Sequence, residues 1–448
     1  MTVIRTARIH RTAVLMLAAS MLVGCSTFDD WFGEPPKPPL PGERIAVLQA
    51  GRAIAADPSL AEMQVELPPP AEYPDYPQAG GWPDHAGQHL ELGDSLKEVW
   101  RSSIGSGSAK RRFLSGAPVV ADGKVFTIDV FGNVTATELQ NGRQAWRVDV
   151  TPSDEDDGTI SGAVAYDSGR LYAATSFGQV VALDGASGKE IWRQAQPAPM
   201  RGAPTIVGNR VFVVTIDNQL VALSAEDGRR LWSHAGINEA AGLLGAASPA
   251  VDSGIVVSPY SSGELFALRA DTGRIAWGDN LASARRSDSV SALANIRGNP
   301  VIDRGLVIAG SNSGRVAAID MRNGERLWDR EIPLGDSPWV AGDYVFALTP
   351  TGELYSLRRE SGRVRWSLSL DRYEDPEKQR DPIRWAGPVL AGDRLILVGS
   401  HGYAVAVSPY TGQILGQQNL PGGSGVTPVV AAKTLLVLTD DGTLVAYR

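Results

Sequence analysis

The most reactive side chain in this sequence is the thiol of Cys25, the only cysteine among 448 residues. One cysteine cannot form an intrachain disulfide, and it leaves thiolate chemistry a single candidate. Carboxylates come next, because the run Asp154-Glu155-Asp156-Asp157-Gly158 places four acidic residues side by side. These residues do not alternate with others as the ligands of a calcium loop do. We therefore expect a solvated loop there and no metal site.

The other titratable groups form no recognisable catalytic motif. His85, His89, His234 and His401 are scattered, and the chain has no Gly-Lys-Ser/Thr phosphate loop and no Gly-x-Ser-x-Gly nucleophile elbow. We predict no catalytic residue, no metal ligand and no cofactor. The formal net charge of −8 also argues against a sequence-independent nucleic-acid binder, which needs a strongly basic surface.

The position of Cys25 indicates its role. A basic start precedes the apolar run 13–23, which is too short to cross a bilayer and fits the hydrophobic region of a signal peptide. The run ends in Leu22-Val23-Gly24-Cys25, which resembles a bacterial lipobox, in which the cysteine is lipidated and becomes the new N-terminus. We predict a signal peptide at 1–24 and a lipid anchor on Cys25; an ordinary signal peptide is the alternative. By resemblance to the bacterial sorting rule, Ser26 favours the outer membrane, with the protein on its periplasmic face.

Residues 25–95 are predicted to form a lipid-anchored, proline-rich tether. The stretches 33–41 and 68–83 favour extended polyproline II backbone, and residues 43–56 could form one short helix that ends before a proline. That helix could dock on a partner or simply pack on the folded domain. We expect deletion of residues 26–90 to destabilise that domain far less than replacement of Trp100 with alanine, a residue of the predicted closing strand described below.

From residue 96 onward the chain repeats one unit. A turn glycine is followed fourteen residues later by tryptophan in five units, and Asn218 replaces the glycine ahead of Trp232 in a sixth. The five pairs are Gly132/Trp146, Gly178/Trp192, Gly263/Trp277, Gly314/Trp328 and Gly352/Trp366. Gly402/Gly416 keeps the spacing without the tryptophan, and Gly442 lies too near Arg448 to have one. Each unit contains turns for four short strands, so the repeat predicts an all-β, eight-bladed β-propeller of four-stranded antiparallel blades at 96–448.

The two ends of the repeat predict how the ring closes. The last unit stops after Leu444-Val445-Ala446-Tyr447 and lacks its outermost strand, whereas Leu96 to Arg101 matches the end of a unit that has no beginning. We expect a strand within 96–104 to complete the last blade, with Trp100 in the tryptophan position. Closure of this kind removes the open edges at which a sheet would pair with other chains.

The motif Ala-Leu-Asp-x-x-Ser/Thr-Gly-x-x-x-Trp, seen at 182–192, resembles the repeat of pyrroloquinoline-quinone-dependent dehydrogenases. That resemblance implies an enzyme with a vicinal disulfide against the quinone, a bound calcium and an aspartate base. The disulfide cannot form here, because Cys25 is the only cysteine. We therefore expect a protein that is not an enzyme.

The lipobox, the tether and an eight-bladed propeller without the quinone machinery together resemble the BamB family, lipoprotein subunits of the outer-membrane β-barrel assembly machinery. The resemblance implies a non-catalytic scaffold that binds the POTRA domains of the insertase BamA and other subunits, and assists the insertion of unfolded outer-membrane proteins. It also implies a monomer within the complex, attached to the membrane by its lipid, without nucleic acid. A quinone-dependent dehydrogenase, or a scaffold of another periplasmic envelope complex, is the alternative.

In that family the insertase contacts come from neighbouring interblade loops on one face. The matching stretches are 238–247 and 285–299, and the candidate partner-binding residues in them are Leu243, Leu244, Arg285, Arg286, Asn295 and Arg297. Leu244, Asn295 and Arg297 depart from the residue types common in the family. Ordinary blade connections are the alternative interpretation of both loops.

Overall fold

Short runs of β-branched and small apolar residues, bounded by turn residues, form almost every element of this protein. The computed structural model describes residues 54–153, 161–200, 202–239, 247–282 and 295–448. These ranges contain 34 strands and one short 3-10 helix, Pro58–Leu60. Signal peptide 1–24, Cys25, Ser26 and all but 54–56 of the predicted helix 43–56 lie outside them, and residues 54–56 are not helical.

Thirty-two of the strands form eight four-stranded antiparallel sheets, the blades of a propeller. Each blade is given with its innermost strand first. Blade 1 contains β2 (Val119–Ala121), β3 (Lys124–Ile128), β4 (Asn133–Glu138) and β5 (Gln144–Asp149). Blade 2 contains β6 (Ala163–Asp167), β7 (Arg170–Ala174), β8 (Gln179–Asp184) and β9 (Glu190–Ala195). Blade 3 contains β10 (Thr205–Val207), β11 (Arg210–Val214), β12 (Gln219–Ser224) and β13 (Arg230–Ala235). Blade 4 contains β14 (Ala250–Asp252), β15 (Ile255–Pro259), β16 (Glu264–Arg269) and β17 (Ile275–Asn280).

The second half of the ring repeats this order. Blade 5 contains β18 (Val301–Asp303), β19 (Leu306–Ser311), β20 (Arg315–Asp320) and β21 (Arg326–Arg330). Blade 6 contains β22 (Trp339–Ala341), β23 (Tyr344–Leu348), β24 (Glu353–Arg358) and β25 (Val364–Ser369). Blade 7 contains β28 (Trp385–Ala391), β29 (Arg394–Gly399), β30 (Tyr403–Val407) and β31 (Ile414–Asn419). Blade 8 contains β32 (Val429–Ala431), β33 (Thr434–Leu438), β34 (Thr443–Tyr447) and β1 (Glu98–Ser103). The hairpin of β26 (Tyr373–Asp375) and β27 (Arg380–Pro382) lies between blades 6 and 7.

The predicted fold class is therefore confirmed, including the number of blades. All eight turn positions identified from the repeat have positive φ, among them Asn218 at 62°. Asparagine tolerates this left-handed region better than other residues that have a side chain, which explains why it can replace glycine there.

The predicted closure is also confirmed. β1 pairs antiparallel with β34, and Trp100 lies opposite Ala446, as Trp146 lies opposite Ala136 in blade 1. The N-terminal and C-terminal ends of the ring thus share one blade.

Seven tryptophans each join one blade to the next, at every pair of neighbouring blades except blades 7 and 8. The ring of Trp100 covers Gly142 of blade 1, where an added Cβ would lie 2.7 Å from the ring, and its Nε1 donates to the carbonyl of Leu139 at 2.9 Å. The same pair of contacts recurs around the ring: Trp146 on Gly188, Trp192 on Gly228, Trp232 on Gly273, Trp277 on Gly324, Trp328 on Gly362 and Trp366 on Gly412. Glycine is therefore required at these outer turns for two reasons: the backbone has positive φ, and the indole ring leaves no room for a Cβ atom.

Residues 73–90, the axial segment, run from blade to blade at one end of the central channel. Backbone groups of the axial segment bond the turn after the innermost strand of blade 8 through Tyr73, and the innermost strands of blades 1 and 2 through Tyr76 and Pro77. The side chain of Gln78 then exchanges two hydrogen bonds with Ile206 of blade 3.

The axial segment continues in the same order over the other four blades. The carbonyls of Pro83 and Asp84 accept from blades 4 and 5, the carbonyl of Gln88 accepts from Trp339 of blade 6, and Leu90 pairs with blade 7. Part of the predicted tether thus bonds to all eight blades. These contacts count against our expectation that deleting residues 26–90 would destabilise the domain far less than Trp100→Ala.

Candidate functional site

A cavity of about 400 Å³ occupies the channel on the axis of the propeller. Its floor includes Tyr76, Gly80 and His85 of the axial segment, and its wall is formed by residues at the start of the innermost strands, such as Ala203, Pro338 and Pro428. The cavity therefore lies at the end of the ring where the connections from one blade to the next are found.

The carboxylate of Asp336 in this cavity is held by protein donors. It accepts from the Ser337 amide at 2.7 Å, the Gly387 amide at 3.1 Å and the Thr427 hydroxyl at 2.7 Å. These bonds join blades 6, 7 and 8, so Asp336 serves to connect blades and is poorly placed to act as a general base.

The second carboxylate in the cavity wall is that of Asp440. It accepts from the Gly425 amide at 3.1 Å and pairs with Arg384 at 3.3 Å. Burial, the largest effect, raises its pKa, while the Gly425 bond and Arg384 oppose the rise.

The expectation that the histidines are scattered is wrong for His85 and His89, which stand four residues apart, a spacing that can bind zinc on a helix. Here they lie in the axial segment, which is not helical. Nδ1 of His85 is 2.8 Å from the Pro300 carbonyl, and Nδ1 of His89 is 2.7 Å from the Pro68 carbonyl. Each imidazole ring is therefore bound to a different backbone carbonyl, and the two rings do not share a ligand. Burial lowers the pKa of His85 to about 4, which keeps it neutral at physiological pH.

The donor set does not fit a quinone with its calcium. The sequence has one cysteine, so no vicinal disulfide can form. Within the ranges that the structure describes, no group of three or more His, Cys, Asp or Glu residues is placed to hold a metal ion.

The described parts of the two candidate partner-binding loops, residues 238–239, 247 and 295–299, lie in connections from an outermost to an innermost strand, at the same end of the ring. Leu243, Leu244, Arg285 and Arg286 fall outside the described residues, as does the acidic run 154–157. Asn295 is 4% exposed, whereas Arg297 is exposed and lines the cavity. The structure thus leaves Arg297 accessible to a partner and leaves Asn295 little surface.

The sequence reasoning missed the hairpin of β26 and β27. It lies in the connection 370–384 between an outermost and an innermost strand, so it is on the same face as Arg297. β27 is exposed over its whole length. The signal was present, since this connection is dense in charged residues and interrupted by Pro376 and Pro382.

The fold and the cavity together define the class of the protein: a closed eight-bladed β-propeller built from quinoprotein-type repeats. The sequence pattern of the family described as "Outer membrane protein assembly factor BamB" matches residues 130–368, which is more than half of the chain. The chain belongs to this family.

Curated relatives agree with that assignment. Outer membrane protein assembly factor BamB of Legionella pneumophila (strain Paris) is 28% identical over 202 residues, 45% of this chain and 50% of that protein. The protein of the same name from Escherichia coli (strain K12) is 26% identical over 205 residues, 45% of this chain and 50% of that protein. The matched region thus spans about half the length of these curated relatives.

Two solved structures share the fold. BamB from Moraxella catarrhalis matches with a TM-score of 0.68 at 21% identity, covering 79% of this chain and 100% of that one. Quinohemoprotein alcohol dehydrogenase from Comamonas testosteroni matches with a TM-score of 0.63 at 16% identity, covering 84% of this chain and 81% of that one. The identities are low, so these likenesses concern the fold alone. No helix in the described part of the chain is long and apolar enough to cross a membrane.

Proposed function

We propose that this protein is a non-catalytic lipoprotein scaffold of the β-barrel assembly machinery, held at the periplasmic face of the outer membrane. Its partners are the POTRA domains of BamA and other subunits, and it assists the assembly and insertion of β-barrel proteins. The observation that carries the proposal is the family match over residues 130–368, in a chain whose relatives are named assembly factors.

The cavity supports the non-catalytic part of this proposal. The carboxylate of Asp336 bonds to three donors from three blades, and Asp440 is paired with Arg384. Groups tied in this way stabilise the ring and are not free to move a proton during a reaction. A dehydrogenase is supported only by likeness of fold, which does not establish function.

The anchor gives the first test. Replacing Cys25 with serine removes the only thiol in the chain, so we expect complete loss of radiolabelled palmitate incorporation and of processing by lipoprotein signal peptidase. Labelling of the wild-type protein is the positive control. Continued labelling of the Cys25→Ser variant would contradict the lipoprotein assignment.

The partner face gives the second test. Replacing Leu243 and Leu244 together with aspartate should reduce co-purification with BamA below detection, because charge replaces apolar side chains in an interblade loop. Arg297→Glu should weaken capture more at low salt than at high salt, since an exposed charge mainly sets the encounter rate.

Arg322→Glu is a matched control for Arg297→Glu, because Arg322 is also exposed but lies in the outer turn of blade 5. It should leave capture unchanged. If well-folded variants of both loops capture BamA as efficiently as wild type, the interface lies elsewhere on the protein. Co-purification with a different envelope complex would favour the alternative of a scaffold for that complex.

A further inference from the structure

The cavity on the propeller axis, the channel cavity, has a floor and one mouth. The axial segment, which bonds to all eight blades, makes the floor. The exposed residues Arg297, Pro350 and Arg384 line the cavity on the face of the interblade connections. A volume of about 400 Å³ is in the usual range for a small-ligand pocket. The channel cavity is therefore a dead end, which a small molecule or the end of a chain can enter.

The wall of the channel cavity has an apolar side and a polar side. Residues that stand directly before a proline ahead of an innermost strand line it, blade after blade: Ala117, Ala203, Ser248, Asn299, Ser337 and Thr427. Alanine at blades 1 and 3, with Phe113 and Ala163 beside it, makes the apolar side. Serine and asparagine at blades 4 and 5 make the polar side. A ligand that fits must therefore combine a polar and an apolar part.

Three polar side chains of the channel cavity have donors without a protein acceptor. Ser248 is 2% exposed and bonds to Oδ1 of Asn299 through its backbone amide at 2.7 Å, but its hydroxyl donates to no described residue. The side-chain amide of Asn299 donates to none either. On the floor, Tyr76 is 5% exposed, and its hydroxyl likewise has no acceptor among the described residues. Buried donors are normally paired, so these three are suited to a ligand that supplies acceptors.

The acceptors of the channel cavity, in contrast, are already engaged. The carboxylate of Asp336 accepts three hydrogen bonds, and that of Asp440 is held by the Gly425 amide and Arg384. The unpaired ring nitrogen of His85 is itself inaccessible. Arg297 has no ion-pair partner among the described residues and lines the cavity. After this internal pairing, the cavity offers free donors and one unpaired positive charge.

We propose that the channel cavity is a binding site for a carboxylate that carries an apolar group, as in the C-terminal residue of a polypeptide or in a free organic acid. The oxygens of the ligand accept from Tyr76, Ser248 and Asn299, and Arg297 supplies the opposite charge. The apolar group packs against the side of the wall formed by Ala117 and Ala203. Capture of a chain end by its carboxylate is a known mode of peptide recognition.

Other ligand classes match these groups less well. The hydroxyl hydrogens of a neutral sugar need acceptors, and the accessible carboxylates of the cavity are already bonded. A phosphate monoester carries up to two negative charges, whereas Arg297 is the one unpaired cation of the described lining, and Asp336 and Asp440 oppose a second negative charge. A cation would meet free donors and an arginine. A single negative charge with two acceptor oxygens fits best.

A pair of peptides tests the charge of the ligand. The probe is the hexapeptide Gly-Ser-Gly-Ser-Ala-Leu with fluorescein on its N-terminus, followed by fluorescence anisotropy with the purified full-length protein. The peptide with a free carboxylate should bind at least about tenfold more tightly than the same peptide with a C-terminal amide. Arg297→Gln should remove most of this preference, because it removes the charge that the amide peptide does not use.

Two isosteric variants test the place of binding. Tyr76→Phe and Ser248→Ala each delete one hydroxyl, and each should weaken binding of the free-carboxylate peptide about tenfold, since a hydrogen bond to a charged group is lost. Tyr344→Phe and Ser356→Ala are the matched controls. Their hydroxyls are also buried and unpaired, but they lie in β23 and β24, outside the channel cavity. Both controls should bind as wild type does.

The outcomes separate the site from its alternatives. Equal affinity for the acid and the amide, no binding of either probe or of N-acetyl-leucine, or equal affinities of Tyr76→Phe, Ser248→Ala and their controls would overturn the proposal. N-acetyl-leucine, added as a competitor, distinguishes the two sources of the carboxylate. Displacement at the affinity of the peptide itself indicates a free organic acid, whereas weaker displacement shows that the polypeptide chain adds contacts.

The proposal goes beyond the scaffold function and does not depend on it. Tyr76 and Ser248 are buried, so their variants leave the surface of the partner loops unchanged and should capture BamA as wild type does. Failure of peptide binding beside intact BamA capture would remove the ligand site alone. Intact peptide binding beside absent BamA capture would count against the proposed function alone.

Discussion

Replacing Trp100 with alanine is expected to lower the free energy of unfolding by about 3–5 kcal/mol, the range for truncation of a buried aromatic residue. Trp100 is 8% exposed, covers Gly142 and donates from Nε1 to the Leu139 carbonyl. It is also the lock between the blade that closes the ring and blade 1. Chemical denaturation of wild type and variant measures the difference.

Val99→Ala is the control for this substitution. Val99 lies in the same strand but is 45% exposed, so its truncation should cost much less than that of Trp100. Deleting residues 96–104 removes the strand that pairs with β34 and should prevent cooperative unfolding. An unchanged unfolding transition after that deletion would show that β1 does not close the ring.

The architecture could be predicted because its signals are local and repeated. A turn residue of positive φ and a tryptophan fourteen positions later lie within one blade. Each blade can therefore be recognised from its own sequence, without reference to the other blades. Even the exception at Asn218 and the closure through Trp100 followed from this register. The partner of each tryptophan, a glycine of the next blade, could not be read from spacing alone.

The packing of the axial segment could not be predicted, because its contacts are neither local in the sequence nor repeated. Its bonds to the blades are mostly made by backbone groups, which leave no pattern of side chains, and they join residues far apart, such as Gln78 and Ile206. Prolines that favour an extended chain are equally consistent with a free tether and with a segment that follows a surface. The sequence between residues 68 and 83 therefore predicted an extended backbone conformation but did not predict that this segment packs on the blades.

The candidate site was predicted only in part. Exposed Arg297 could be chosen as a contact because it lies in an interblade loop, but the burial of Asn295 two residues earlier has no periodic signal in such a loop.

The axial segment carries the other large prediction: Gln78→Ala should lower the free energy of unfolding by about 2–4 kcal/mol. Gln78 is 4% exposed, and its amide exchanges two hydrogen bonds with the backbone of Ile206, at 3.0 and 2.9 Å. Alanine would leave both groups of Ile206 without these partners in a buried place, and an unsatisfied buried group costs more than a hydrogen bond contributes.

Gln144→Ala is the matched control, because Gln144 is an exposed glutamine in β5, and it should change the free energy of unfolding by less than about 0.5 kcal/mol. If the Gln78→Ala variant were as stable as Gln144→Ala, the axial segment would contact the blades without contributing to the stability of the ring. A loss of the expected size would show that part of the predicted tether belongs to the folded ring. In that case the tether of the proposed lipid anchor is shorter than residues 25–95, since Ile54 and Asp57 also bond to blade 6.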